Sequence, residues 1–239
     1  MNLNWRRTRA ILIKELRDYS RNRSVVWAMA VLPVVFTIQP LVSIFAARGL
    51  TAVSLIGRHE LLFMLGIPIL VPATLAAYAV AGERQQETLE PVLGTPIRRE
   101  EFLLGKALAV FVPSVIIAYA VFALFIVIVE IARPEIAPGL FGVDDLIVQI
   151  VFTPLLAAFS IWVGVAISTR ASDPRTAQQL SVLSSLPLFF VALLIAFGVI
   201  EPSLGLALLL GGALLVADLI GWRLIAPLFD RERLIAGPH

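Results

Sequence analysis

Six long runs of the chain are nearly free of charge: residues 25–46, 61–82, 102–131, 146–168, 180–200 and 204–229. A helix needs about 20 apolar residues to cross roughly 30 Å of hydrocarbon. The runs therefore specify an all-α polytopic membrane protein with six transmembrane helices. Composition agrees, since 59% of the 239 residues are hydrophobic and 15% charged, with a mean hydropathy of +0.92. No stretch carries the mixed polar and apolar pattern of a separate water-soluble fold, so residues 1–239 are read as one transmembrane domain. Prolines 33, 40, 68, 72, 113, 154 and 187 fall inside the runs. Neighbouring helices re-satisfy the carbonyls that proline frees in a membrane, so these predict kinks rather than ends.

Cations set the expected orientation. Arg6, Arg7, Arg9, Lys14, Arg17, Arg21 and Arg23 precede the first run. Arg84, Arg98, Arg99 and Lys106 lie between the second and third, Arg170 and Arg175 between the fourth and fifth, and Arg223, Arg231 and Arg233 near the end. With six crossings all of these fall on one face, which the positive-inside rule assigns to the cytoplasm. A multi-pass location in the cell's inner (cytoplasmic) membrane with both termini cytoplasmic follows. The start, "MNLNWRRTRAILIKELRDYSRNR", lacks the early apolar core of a secretory signal. It reads instead as an amphipathic interfacial helix over residues 1–23. Leu3, Ala10, Ile11, Ile13, Leu16 and Tyr19 share a side, and the cations face anionic headgroups. Membrane anchoring and contact with a partner protein both fit that pattern.

Several chemistries are absent. There is no cysteine, and the two histidines are His59 and His239. No run gathers paired acids or histidines into a catalytic or metal constellation, which argues against an intramembrane enzyme. A phosphate loop is missing too: at Gly105-Lys106 the position five before the glycine is Glu100, and Ala107 follows the lysine. Energy must come from a partner or a gradient. Asp218 is the one acid well inside a run, and Arg223 lies on another helical face; an acid that caps or bonds a neighbouring helix explains it more simply than an ion site. Gln39 and Gln149 read as packing groups. Small residues every four positions, Ala73, Ala77 and Ala81 in one run and Ser160, Gly164 and Ser168 in another, mark helix-packing faces.

The stretch "AGERQQETLEPVLGTPIRREEFLLGK", residues 81–106, sets nine charges between two apolar runs. Thr88 suits a helix N-cap, with Leu89, Glu90 and Pro91 as the first turn. Leu89, Val92 and Leu93 then share one face, and Gly94 ends the helix. Thr95-Pro96 opens the next one, with Glu100 and Glu101 at its positive end. An apolar stripe ringed by charge fits a groove in another protein or a berth on the lipid surface, and the pattern alone does not separate the two.

The same stretch resembles the signature of the ABC-2 type transporter permeases. Glu83-Arg84, Thr88-Leu89-Glu90, Val92-Leu93, Thr95-Pro96, Arg98 and Gly105-Lys106 follow in the family's order. The six runs, the basic segment "IKELRDYSRNR" and the tail "LFDRERLI" are similar to the same family, so the likeness covers nearly the whole chain. Two departures stand out: Glu87 where relatives have glycine, and only "EPS" (201–203) where relatives place short re-entrant helices. The resemblance implies a non-catalytic permease subunit of an ATP-driven exporter, with 83–101 as the coupling-helix loop. Glu83, Arg84, Thr88, Leu89, Glu90, Val92 and Leu93 would contact a separate nucleotide-binding subunit. That subunit would hold ATP and Mg, and this chain no cofactor. The expected partners are that ATPase, a second permease copy (homodimer or heterodimer) and membrane lipid, with no nucleic acid. An ion-coupled secondary transporter, or a permease of a cofactor or metal-site maturation system, are the alternatives.

Overall fold

The computed structural model describes residues 4–46, 59–85 and 97–225. The described residues contain nine α-helices and no strand: α1 (Trp5–Arg21), α2 (Arg23–Ala46), α3 (Gly66–Ala76), α4 (Tyr78–Gln85), α5 (Arg99–Ala132), the single turn α6 (Ala137–Leu140), α7 (Val143–Arg170), α8 (Pro174–Ala196) and α9 (Leu204–Ile225). A 3-10 turn, Glu60–Leu65, leads into α3. Among the described residues six segments are long and apolar enough to cross a membrane: Val25–Ala46, Leu61–Glu83, Glu100–Ala132, Val143–Arg170, Pro174–Ala196 and Leu204–Ile225. All six overlap the runs expected from sequence. The fifth begins earlier and ends earlier than expected, because Asp173 caps it and Gly198 closes it. The Asp173 carboxylate accepts from the Thr176 N–H at 2.9 Å and Pro174 occupies the first helical position. At the other end Gly198 has φ 71°, Val199 N–H bonds the Leu194 carbonyl, and Gly198 N–H bonds that of Ile195. This is the Schellman arrangement, and it turns the chain into α9 within a few residues.

The second span is the hub. All of Gly66–Ala76 is buried, and α2, α5, α7 and α8 surround it. By contrast α9 leans chiefly on α7 and turns Leu204, Leu208, Leu215 and Leu219 outward. In lipid there is little hydrophobic gain from burying one apolar helix against another, so close contact depends on small residues and shape. The two small-residue stripes meet at the hub. A Cβ on Gly164 would stand 2.7 Å from the Ala76 Cβ and 3.2 Å from the Ala73 carbonyl oxygen. Ala73, Ala77, Ala81, Ser160 and Ser168 are all fully buried.

The span is not one helix, as the sequence suggested, but breaks at Ala77. Ser168 of α7 fills the break: its hydroxyl donates to the Ala77 carbonyl at 2.7 Å and accepts from the Val80 and Ala81 N–H groups at 3.0 Å each. Those are groups a helix start would otherwise leave unpaired. Buried Gln149 bonds Thr153 of its own helix rather than a neighbour.

The two ends of the bundle are tied differently. At the end away from α1, Arg133 donates to the Ile44 carbonyl at 3.0 Å and pairs with Glu135, while His59 Nδ1 lies 2.5 Å from Asp145 Oδ1. At the α1 end a buried ionic ring does the work.

Candidate functional site

Helix α1 starts at Asn4, whose side chain accepts from the Arg6 N–H at 3.1 Å. Its inward stripe is Thr8, Ile11, Glu15 and Tyr19, one residue per turn on a 3.6-residue period. This corrects the expected apolar side: Ile13 and Leu16 are exposed and Ala10 points away, while a carboxylate and a threonine take their places. The stripe packs on the start of α5. Contact is close because Gly105 has no side chain; a Cβ there would lie 2.7 Å from the Ile11 Cβ and 3.2 Å from the Thr8 carbonyl oxygen.

Beside Gly105, Lys106 is wholly buried. Its Nζ lies 3.1 Å from Glu15 Oε1 and 3.0 Å from Glu83 Oε2. Lys14 Nζ lies 2.6 Å from Glu83 Oε1 and 3.1 Å from the same Glu15 oxygen. Two ammonium groups and two carboxylates thus alternate in a closed ring that joins α1, α4 and α5. The ring is neutral, and the Lys106 ammonium also lies 5.0 Å from the Phe102 ring centroid. Burying one such charge unpaired would cost several kcal/mol, so the four groups stand or fall together. Burial by itself would raise the Glu15 carboxyl, but Lys106 and Lys14 outweigh it and hold the group below the ordinary carboxylate value. Burial likewise works against charged Lys14, but Glu15 and Glu83 prevail and raise it above the ordinary lysine value.

A second clasp secures the start of α1. Buried Glu101 accepts from the Asn4 N–H at 2.9 Å and the Arg98 N–H at 3.1 Å, with the Arg7 guanidinium 3.7 Å away. The two clasps straddle residues 86–96. Glu83 stands just before that segment; Arg98, Glu101 and Lys106 stand just after it. The amphipathic helix is therefore fastened to both roots of the connection between the second and third spans.

A family model described as ABC-2 family transporter protein matches residues 9–225, from inside α1 to the end of α9. The chain belongs to the ABC-2 transporter family. No curated protein matches it. As the family implies, the chain is a multi-pass membrane permease, the transmembrane part of an ABC transporter.

In this permease the residues expected to meet a partner divide sharply. Thr88, Leu89, Glu90, Val92 and Leu93 lie outside the described residues, as does the proposed start at Thr95-Pro96. Arg84 lies on α4, its side chain outside the described set. Glu83 is 7% exposed and spends its oxygens on Lys14 and Lys106 inside the permease. Glu100 and Glu101 do fall in the first turn of α5, but Glu101 holds Asn4 as well as favouring the helix dipole.

Sequence reasoning missed Glu15 altogether, counted Lys14 and Lys106 only toward orientation, and gave Gly105 no role beyond its place in the family's order. A signal was present. A lysine two turns into an apolar helix needs a partner, and an acid in a helix otherwise rich in arginine, spaced one turn from Ile11 and Tyr19, was available to be one. Asp218 differs from its expected role: its Oδ1 is buried with no hydrogen-bond partner among the described residues.

Proposed function

We propose that this permease is the membrane subunit of an ATP-driven exporter, in which a separate nucleotide-binding subunit holds ATP and Mg. In this reading the α1 end of the bundle is cytoplasmic, as its arginines favour, and the location is the cytoplasmic membrane. Two permease copies, identical or similar, flank the translocation path, since six spans make a thin wall. The chain carries no cofactor and takes no nucleic acid.

In this reading the loop 83–101 carries a short coupling helix over Leu89 to about Leu93. Leu89, Val92 and Leu93 supply apolar anchors in a cleft of the ATPase, and Arg84 and Glu90 orient the helix at its rim. When ATP closes the two ATPase subunits the coupling helix is carried with them. The observation behind this reading is the pair of clasps that binds α1 to both roots of 86–96. Displacement of the loop then cannot be absorbed by its ends bending alone. It passes into α1, α4 and α5 as one body, which swings against the bundle at the Ala77 break.

The test is Leu89→Asp in the full permease. A tagged wild-type chain is expected to co-purify with a subunit that contains a phosphate loop. The variant inserts normally and loses both that subunit and ATP-dependent transport. Retained coupling in a correctly inserted Leu89→Asp permease contradicts the proposal.

A further inference from the structure

The elbow between α1 and α2 has two cavities that lie back to back across Tyr19. One, of about 320 Å³, is the more polar and is lined by Lys14, Glu15, Asp18, Tyr19, Arg21 and Glu83, among others. The other, of about 350 Å³, is apolar and is lined by Leu16, Tyr19, Val26, Met29, Ala30 and Pro113, with Ser20 at its edge. Tyr19 is only 7% exposed, and its hydroxyl has no hydrogen-bond partner among the described residues. Burial first, then Glu15, Glu83 and Asp18, keep the phenol protonated far above the ordinary range. It is a buried donor and acceptor waiting for a polar group, and leaving it unmet is costly.

We infer that this elbow binds a zwitterionic phospholipid with a primary amine, its headgroup in the polar cavity and one acyl chain in the apolar one. Lys14 is committed to three carboxylates, those of Glu15, Glu83 and, at 3.4 Å, Asp18. The exposed Arg21 is left to meet a phosphate. The exposed carboxylate oxygens of Asp18 accept from an ammonium. Those acceptors favour an ethanolamine-type head, which has N–H donors, over a choline, which has none. A wholly anionic headgroup brings no positive charge to the carboxylates, and a glycerol head offers them neutral hydroxyls alone. The order of the cavities fits a bilayer: polar beside the surface helix α1, apolar along the first turns of α2 and against Pro113 of α5. The inference needs no ATP coupling and stands apart from the proposed function.

Native mass spectrometry of the full permease tests it, with whatever subunits co-purify, extracted from vesicles with equal phosphatidylethanolamine, phosphatidylcholine and phosphatidylglycerol. The wild type is expected to keep one phosphatidylethanolamine, in about tenfold preference over either competitor, the scale of one charge-assisted hydrogen-bonded contact. Arg21→Gln, and separately Ala30→Trp to fill the apolar cavity, each reduce retention about tenfold on the same scale. Met29→Phe serves as a second filling variant if Ala30→Trp lowers the melting temperature. Equal retention of all three lipids, or retention indifferent to the filling variants, overturns the inference. So does binding of soluble glycerophosphoethanolamine or inorganic phosphate as tight as that of the lipid, because the site would then read a headgroup or phosphate alone.

Discussion

Lys106 occupies a position that a membrane helix ordinarily denies to an ammonium, and it does so because Glu15 and Glu83 reach it from two other helices. Lys106→Met leaves two buried carboxylates with only Lys14 between them. Removing one member of a buried ion set costs about 3–5 kcal/mol, here borne by the docking of α1. Hydrogen exchange at the α1 amides should rise sharply in that variant. It should fall back when Glu15→Gln is added, because Lys14 and Glu83 then pair one to one and leave no unpaired carboxylate. The pH dependence follows from the directions of the shifts. Glu15 is held below its unfolded value, so its contribution is complete above the ordinary carboxylate range and fades only as pH drops through the lower, folded value. Lys14 is the mirror image, its contribution lost only as pH rises past its raised value. Exchange at the α1 amides, corrected for intrinsic rate, is therefore expected to stay flat from about pH 5 to 10. A midpoint inside that window would contradict the ring.

At the scale of elements, two contacts determine how the pieces can move. Helix α1 reaches α5 because Gly105 gives Ile11 room. Gly105→Leu should displace α1 and lower stability by about 1–3 kcal/mol, the usual cost of overpacking, with partial recovery on adding Ile11→Ala; thermal melts of purified permease measure both. The break at Ala77 depends on Ser168. Ser168→Ala strands one carbonyl and two N–H groups, at about 1–3 kcal/mol for a buried group left unpaired, and the same melts report it. These elements were unequally legible. The alternation of Ala73, Ala77 and Ala81 with Ser160, Gly164 and Ser168 is a local spacing, visible in a line of text. The break at Ala77 leaves no such mark, since Pro68 and Pro72 lie before it and Gly82 after it, and its cause is a serine 91 residues away. The ring is hidden for the same reason: Lys14 and Glu83 are 69 residues apart and Glu15 and Lys106 are 91 apart, so no short window along the chain shows the contacts that tie α1 to α4 and α5.

For the whole molecule, the six crossings could be read directly because hydrocarbon thickness sets a length that composition must fill. The expected orientation rests on charge, which acts on the chain from outside it. A chain without cysteine makes both easy to probe. Single cysteines at Arg17 and Val143, at opposite ends of the bundle, should react with a membrane-impermeant maleimide from opposite sides of sealed vesicles, Arg17 from the cytoplasmic face. Labelling of both from one side would rule out the three crossings described between them. The central claim concerns motion: α1 and the roots of 86–96 travel together when the ATPase closes. Spin labels at Arg17→Cys on α1, Gln85→Cys on α4 and Val143→Cys at the far end, taken in pairs in the permease assembled with its nucleotide-binding subunit, measure it by pulsed electron spin resonance with and without ATP. The Arg17–Gln85 distance should stay fixed while both distances to Val143 change. An Arg17–Gln85 distance that itself shifts on ATP binding would show that the clasps do not carry the motion.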